Sequence, residues 1–251
     1  MAKPRQTPRE TDTDLQSRAR KIVKKLKEQY PEAFCALRHE NPYQLLVATI
    51  LSAQCTDARV NQVTPALFER FPDARALADS KSEELENLIR STGFFRAKSK
   101  NLRSMASQVV ERHHGKIPAN LDDLTRLAGV GRKTANVVLG TAFGIASGIV
   151  VDTHVKRLTR RMGLSTKPSP EQIERELIAL VPKSQWVDFS HRLIQHGRLV
   201  CIARRPRCEV CTLAAICPKV GVPASSKKAA SPRQSGELSK KARGKNGAAE
   251  S

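Results

Sequence analysis

Apolar residues recur at helical spacing along most of the chain, and the polar positions between them carry helix start and stop signals. Asp14 caps a first helix running to Gln29, with Ile22, Val23, Leu26 and Tyr30 on one side, lysines on the rest, and Pro31 at its end. Asn41-Pro42 opens a second helix. Its residues Tyr43 to Ser52 are apolar nearly all round, which predicts a central place in a core. After Ser52-Ala53-Gln54-Cys55, Thr56 caps the next helix, Thr64-Pro65 divides it in two, and Pro72 stops it. Ser80 and Glu83 form a capping box for a helix carrying Leu85, Leu88 and Ile89, closed by Gly93. Phe94-Phe95 then makes a short exposed hinge before a basic helix that ends at Gly115. His113 and His114 point apart there and so do not share a metal.

Leu121, Leu124 and Leu127 keep the helical period up to Gly129, and Ala135, Val137, Val138 and Leu139 begin another apolar helix at once. Residues 127–135 therefore read as helix, Gly-Val-Gly turn, helix. Two glycines this close permit positive φ and expose successive backbone N–H groups beside a helix N-terminus, which makes a site for a phosphate oxygen. Gly129, Val130, Gly131, Arg132 and Thr134 are its expected contacts. Lys133 falls in the first turn of the second helix, where a cation is electrostatically disfavoured and its neutral, nucleophilic form gains. Gly144 and Gly148 bracket a loop leading to Ile149-Val150-Val151-Asp152-Thr153-His154, and Asp152 precedes a helix with Val155, Leu158 and Met162 on one face. Ser169-Pro170 with Gln172 opens a helix through Leu180, and a last one, from about Ser184 to Leu199, delivers the chain to Cys201. No alternating run marks a strand, so the fold class is all-α with short loops. Residues 1–13 and 221–251 lack any period and read as disordered basic arms.

The formal net charge is +20, from 44 Lys and Arg against 24 Asp and Glu. Residues 219–251, with eight basic and two acidic side chains, hold +6 of it, so +14 belongs to the rest. The expected partner is polyanionic. Nucleic acid is favoured over a membrane, because no apolar run approaches the roughly 20 residues that span a bilayer, and no signal peptide opens the chain. A cytoplasmic, nucleoid-associated monomer is expected. Four of the six cysteines, Cys201, Cys208, Cys211 and Cys217, lie within 17 residues, while Cys35 and Cys55 stand alone as small apolar residues. In a cytosolic chain that clustering predicts metal rather than disulfides, and spacing alone leaves open one zinc ion or one iron-sulfur cubane. Arg204, Arg205 and Arg207 crowd the tethered loop between the first two cysteines, where phosphate contacts would relieve their repulsion.

The segment Leu127-Ala128-Gly129-Val130-Gly131-Arg132-Lys133-Thr134-Ala135, the run Val151-Asp152-Thr153-His154 and the Cys-x6-Cys-x2-Cys-x5-Cys spacing together resemble the endonuclease III family of helix-hairpin-helix DNA glycosylases. The resemblance covers about residues 15 to 217. It implies a bifunctional DNA glycosylase and abasic-site lyase of base excision repair, removing oxidised pyrimidines from double-stranded DNA. Lys133 would be the amine that attacks C1′, and Asp152 the carboxylate that takes its proton or stabilises charge at the sugar. A [4Fe-4S] cluster would be held by Cys201, Cys208, Cys211 and Cys217. Gln54 and Phe94 match the intercalating positions, and Arg204 and Arg205 would meet the DNA backbone. Two helical lobes are implied, a central one of residues 36–146 and a cluster lobe of residues 14–35 and 147–220, with DNA in the groove between. Two departures are visible. Ala128 stands where the family usually has Pro, and Phe94 is bulkier than the Leu often found there.

Three alternatives remain at this level. Adenine mismatch glycosylases resemble the chain in hairpin, Asp and cysteines but typically lack Lys at position 133 and carry a further C-terminal domain. A pyrimidine-dimer glycosylase can be built on the same scaffold. A non-catalytic DNA-binding module would use the hairpin as a phosphate clamp and the cysteines for zinc.

Overall fold

The computed structural model describes residues 11–223; most of the expected N-terminal arm and nearly all of the C-terminal tail lie outside the described residues. Helix α1 (Asp12–Gln29) begins three residues before the expected start, because Thr11 and not Asp14 is its N-cap. Thr11 Oγ1 accepts from the Asp14 N–H at 3.2 Å and the Asp14 carboxylate accepts from the Thr11 N–H at 3.4 Å, so Asp14 is the other half of a capping box. Helix α2 (Pro42–Leu51) starts where the sequence places it, with Asn41 Oδ1 accepting from the Gln44 N–H at 3.0 Å; Leu45, Leu46, Val47, Ala48 and Leu51 are wholly buried.

Helix α3 (Asp57–Arg70) starts at Thr56 but runs unbroken through Pro65, which corrects the expected division. Proline in a helix interior costs about 3 kcal/mol. Val60, Val63 and Leu67 bury one continuous face of α3, and each buried aliphatic contributes about 1.5–3 kcal/mol, so the helix survives. Helix α4 (Ala74–Ala78) is too short to show a period in the sequence. Ser80 is buried with its hydroxyl donating to Leu77 O at 2.7 Å, so it closes α4 instead of capping α5 (Ser82–Ile89), whose N-cap Lys81 makes no side-chain bond.

The remaining helices are α6 (Phe95–His113), α7 (Leu121–Thr125), α8 (Arg132–Phe143), α9 (Thr153–Arg161), α10 (Pro170–Leu180) and α11 (Trp186–Leu199). Single 3-10 turns occur at Arg90–Thr92, Lys183–Gln185 and Cys208–Val210, and no strand occurs among the described residues. Buried apolar side chains form two clusters. One draws on residues from Leu37 to Leu139, in α2 through α8. The other joins Ile22 and Leu26 of α1 to Val155, Leu158, Leu177, Phe189 and Leu193, so the chain leaves this core after α1 and returns to it after α8. Helix α8 packs on α2 and α7 within the first core and also meets α11 of the second, which puts the hairpin at the seam.

Candidate active site

The hairpin is held by short-range bonds that dictate which of its donors are free. Gly129 takes φ +74°, and a Cβ there would lie 3.0 Å from Asn101 Cβ, so this position needs glycine on both counts. Gly131 is in extended backbone as the N-cap of α8, and a Cβ there would meet nothing within 4 Å; the positive φ expected of both glycines is used once. The Ala128 N–H donates to Gln108 Oε1 at 2.8 Å. Val130 corrects the expectation of a phosphate contact. Its N–H is spent on Leu127 O at 3.1 Å and its side chain is buried in the first core. The N–H groups of Gly129 and Gly131 have no acceptor among the described residues, and those of Arg132, Lys133 and Thr134 are orphaned at the helix start.

Arg132 is not a free cation either. Its Nε and Nη2 donate to the two oxygens of Glu174 at 3.1 and 3.3 Å, and Asn136 Nδ2 donates to the same carboxylate at 2.9 Å. Ser147 completes the chain by donating to Asn136 Oδ1 at 2.9 Å. This network ties α8 to α10, across the seam.

Lys133, exposed, and Asp152, half-buried, line one cavity of about 550 Å3 together with Gln54, Asp57, Thr134 and His191. Asp152 caps α9, its Oδ1 accepting from the Val155 N–H at 2.8 Å, while no described residue donates to Oδ2. One carboxylate oxygen builds the helix, and Asp152 also lines the cavity. Asp57 at the start of α3 pairs with Arg198 of α11 at 2.5 Å, which bridges the cavity from first core to second. Burial pushes the His191 pKa down, with Asp188 opposing, and burial likewise lowers His154, with Asp152 opposing.

Gln54 and Phe94 both adopt left-handed backbone, at φ 53° and 49°. Such residues are held against a steric cost and cluster at functional sites. Phe94 is 66% exposed, so it does not serve the core. Sequence reasoning missed Phe34, 79% exposed at the same cavity, because the stretch between Pro31 and Pro42 has no period to read against. It also missed Lys98, which carried a signal: a charge in register with the buried Leu102, Met105 and Val109 of α6.

Cys201, Cys208, Cys211 and Cys217 are free, half-buried thiols around one small cavity of about 20 Å3. Arg161 Nη1 donates to Cys201 Sγ at 3.4 Å, and the fully buried His196 places Nε2 3.5 Å from Cys211 Sγ and Nδ1 3.0 Å from the Tyr30 hydroxyl. Burial lowers the His196 pKa to about 4. Burial first, then the neighbouring thiols, raises those of Cys211 and Cys217. Arg204, Arg205 and Arg207 are exposed on the loop above.

Residues 47–183 match the family model of the HhH-GPD superfamily base excision DNA repair protein. The endonuclease III of Synechocystis is 55% identical over 80% of this chain and 92% of its own length, and that of Escherichia coli K12 is 39% identical over 78% and 92%. A solved non-covalent endonuclease III–DNA complex superposes with a TM-score of 0.78 at 40% identity, over 81% of this chain and 95% of the other. A trapped endonuclease III–DNA covalent intermediate matches equally, with a TM-score of 0.78 at 40% identity. With its hairpin, its cavity lined by Lys133 and Asp152, and its four clustered cysteines, the chain belongs to the endonuclease III family of base-excision-repair DNA glycosylases and abasic-site lyases.

Proposed function

We propose that this enzyme excises oxidised, ring-saturated pyrimidines from double-stranded DNA, with Lys133 as nucleophile and Asp152 as its acid-base partner. The carrying observation is that both line one cavity although their flanking segments pack into different cores, and that the cavity has the size of a small-ligand site. Neutral Lys133 Nζ bonds to C1′ as the glycosidic bond breaks and the base departs with the bonding electrons. Asp152 Oδ2 takes the proton from the amine and offsets positive charge developing at the sugar. Opening of the sugar ring leaves an imine; loss of a C2′ proton then drives the C3′–O bond to break, and the 3′ phosphate leaves. The free N–H groups of Gly129, Gly131, Arg132 and Thr134 hold a backbone phosphate near the target. Gln54 and Phe94 fill the gap that the everted nucleotide leaves.

The cysteine pocket carries the donor set of a [4Fe-4S] cluster, which Cys201, Cys208, Cys211 and Cys217 would hold. Four free thiols surround one cavity, Arg161 donates to one of them, and a second is approached by a buried, neutral histidine. Cys201, Cys208, Cys211 and Cys217 would each supply one thiolate to the cluster. Bound there, it would fix the loop that presents Arg204 and Arg205 to the DNA backbone. No helix among the described residues is long and apolar enough to cross a membrane. The proposed DNA substrate is our reason for expecting the enzyme at the nucleoid.

Borohydride trapping on a duplex with one oxidised pyrimidine tests the reading. Wild type should give a covalent adduct and Lys133→Ala none, with binding retained. An adduct that survives the substitution would remove Lys133 from its role, and a colourless protein holding zinc would remove the cluster.

A further inference from the structure

Lys98 sits in the first turn of α6 and is 5% exposed, in a position whose helical register calls for an apolar side chain. No carboxylate pairs with it among the described residues. Its ammonium instead donates to Leu51 O and to Thr92 O, both at 2.8 Å. Taking a cation out of water without a counter-charge is costly, and burial pushes its pKa down. The two carbonyls explain why the cation is kept. Leu51 ends α2 three residues before Gln54, and Thr92 ends the 3-10 turn two residues before Phe94. The main-chain N–H of Lys98 also donates to Phe94 O at 3.0 Å. Left-handed backbone costs a non-glycine residue about 1–2 kcal/mol, so each of these loops has to be held from behind.

We propose that Lys98 is a positioning residue that fixes Gln54 and Phe94 relative to one another, making the two loops a single two-pronged wedge for stacked DNA. This rests on the reading of Gln54 and Phe94 as the intercalating side chains. Lys98 is buried behind both loops and contacts no substrate. A purely structural role would cost all activities alike; a positioning role costs those that require the stack to be opened.

Lys98→Met keeps the apolar stem and removes the donors. In single-turnover reactions on duplex DNA with one oxidised pyrimidine, excision should fall by roughly tenfold or more, since misplacement near 1 Å can cost more than that. Fluorescence of 2-aminopurine opposite the lesion, which reports unstacking, should fall with it. Strand cleavage at an abasic site in a single-stranded oligonucleotide should stay within about twofold, because no stack has to be opened there. Equal losses on the two substrates, or no loss on the duplex, overturn the proposal. The double variant Gln54→Ala, Phe94→Ala separates this from the reading beneath it. If that variant excises at the wild-type rate, the wedge reading fails and the role of Lys98 with it; if it loses activity while Lys98→Met does not, the wedge stands and Lys98 is wrongly assigned. In the double-variant background Lys98→Met should add less than about twofold, as expected for side chains acting as a unit. Should Lys98→Met fail to fold, Lys98→Gln keeps two N–H donors and should show a smaller loss with the same preference for the duplex; equal losses on both substrates again overturn it.

Discussion

Removing Arg132 should destabilise the protein more than neutralising Glu174, although the two are partners in one ion pair. The Glu174 side chain is 7% exposed and accepts from Arg132 Nε and Nη2 and from Asn136 Nδ2. Arg132→Ala leaves that carboxylate buried with Asn136 alone. Breaking a buried pair from one side costs about 3–5 kcal/mol. Half of the Arg132 side chain faces water, which can follow into the gap, so the expected loss is nearer about 2 kcal/mol. Glu174→Gln keeps one acceptor oxygen for the guanidinium and should cost about 1 kcal/mol. At about 2–4 °C per kcal/mol for a chain of this size, Arg132→Ala should melt about 4–8 °C below wild type and Glu174→Gln about 2–4 °C below. The double variant should lie closer to Glu174→Gln than the sum of the two losses, because the stranded charge is gone. Far-UV circular dichroism melts of the purified full chain measure all three. If Glu174→Gln melts below Arg132→Ala, or neither moves, the buried carboxylate does not govern this seam.

Asp152→Asn keeps an acceptor for the Val155 N–H and should leave stability within about 0.5 kcal/mol, whereas Asp152→Ala loses the cap and about 1 kcal/mol, with base excision lost in both. Urea titrations beside excision rates would check the split. A Cβ on Gly148 would lie 2.0 Å from Glu174 Oε1 and 2.5 Å from Asn136 Nδ2, so Gly148→Ala should cost about 1–3 kcal/mol; an unchanged melt would contradict it. Neutralising Arg204 and Arg205 should flatten the slope of log binding constant against log salt by about 0.9 for each phosphate that is no longer neutralised, read by fluorescence anisotropy. Burial lowers the His191 pKa, so the folded protein prefers it neutral; stability from this source is full above the ordinary histidine value near 6.5 and falls as pH drops below it. His191→Gln should remove that part of the acid-side decline in melting temperature.

The sequence is legible where structure is made by neighbours. Asn41, Thr56, Asp152 and Ser169 read as caps and are caps, since each bonds to an N–H three residues on. The same local logic misplaces two starts. A capping box has two ends, and Asp14 reads as the N-cap that Thr11 provides. Ser80 can close the helix before it as well as open the one after it. Pro65 reads as a break because the gain that overrides it comes from a buried face, not from its neighbours. What stays hidden is partnership across distance. Nothing near Arg132 announces Glu174, 42 residues on, and nothing near Asp57 announces Arg198, 141 residues on. The hairpin motif accordingly overstates its own charge. Arg132 is matched by Glu174 and Val130 is spent on the core, so the donors the hairpin leaves without partners are backbone N–H groups.

The two pairs that cross the seam differ in strength, and the difference bears on how the groove behaves. Asp57 and Arg198 have side chains 27% and 44% exposed, so their pair contributes about 0–1 kcal/mol and weakens in salt. The Glu174 carboxylate is buried and bonded by three donors, so salt screens it less than the exposed pair. One pair is beside Lys133 in the chain, the other beside the loop that carries Gln54. On the proposed assignment, Lys133 is held on the firm side, where about 1 Å of error would be expensive in rate, and the Gln54 loop is held on the compliant side. Salt should consequently weaken binding to DNA and loosen the Gln54 side of the groove together, while the relation of Lys133 to α10 persists. If Lys133 and Gln54 act as proposed, that is the arrangement base flipping requires: a fixed chemical centre, with its adjustable contact on the wall that would face the stack.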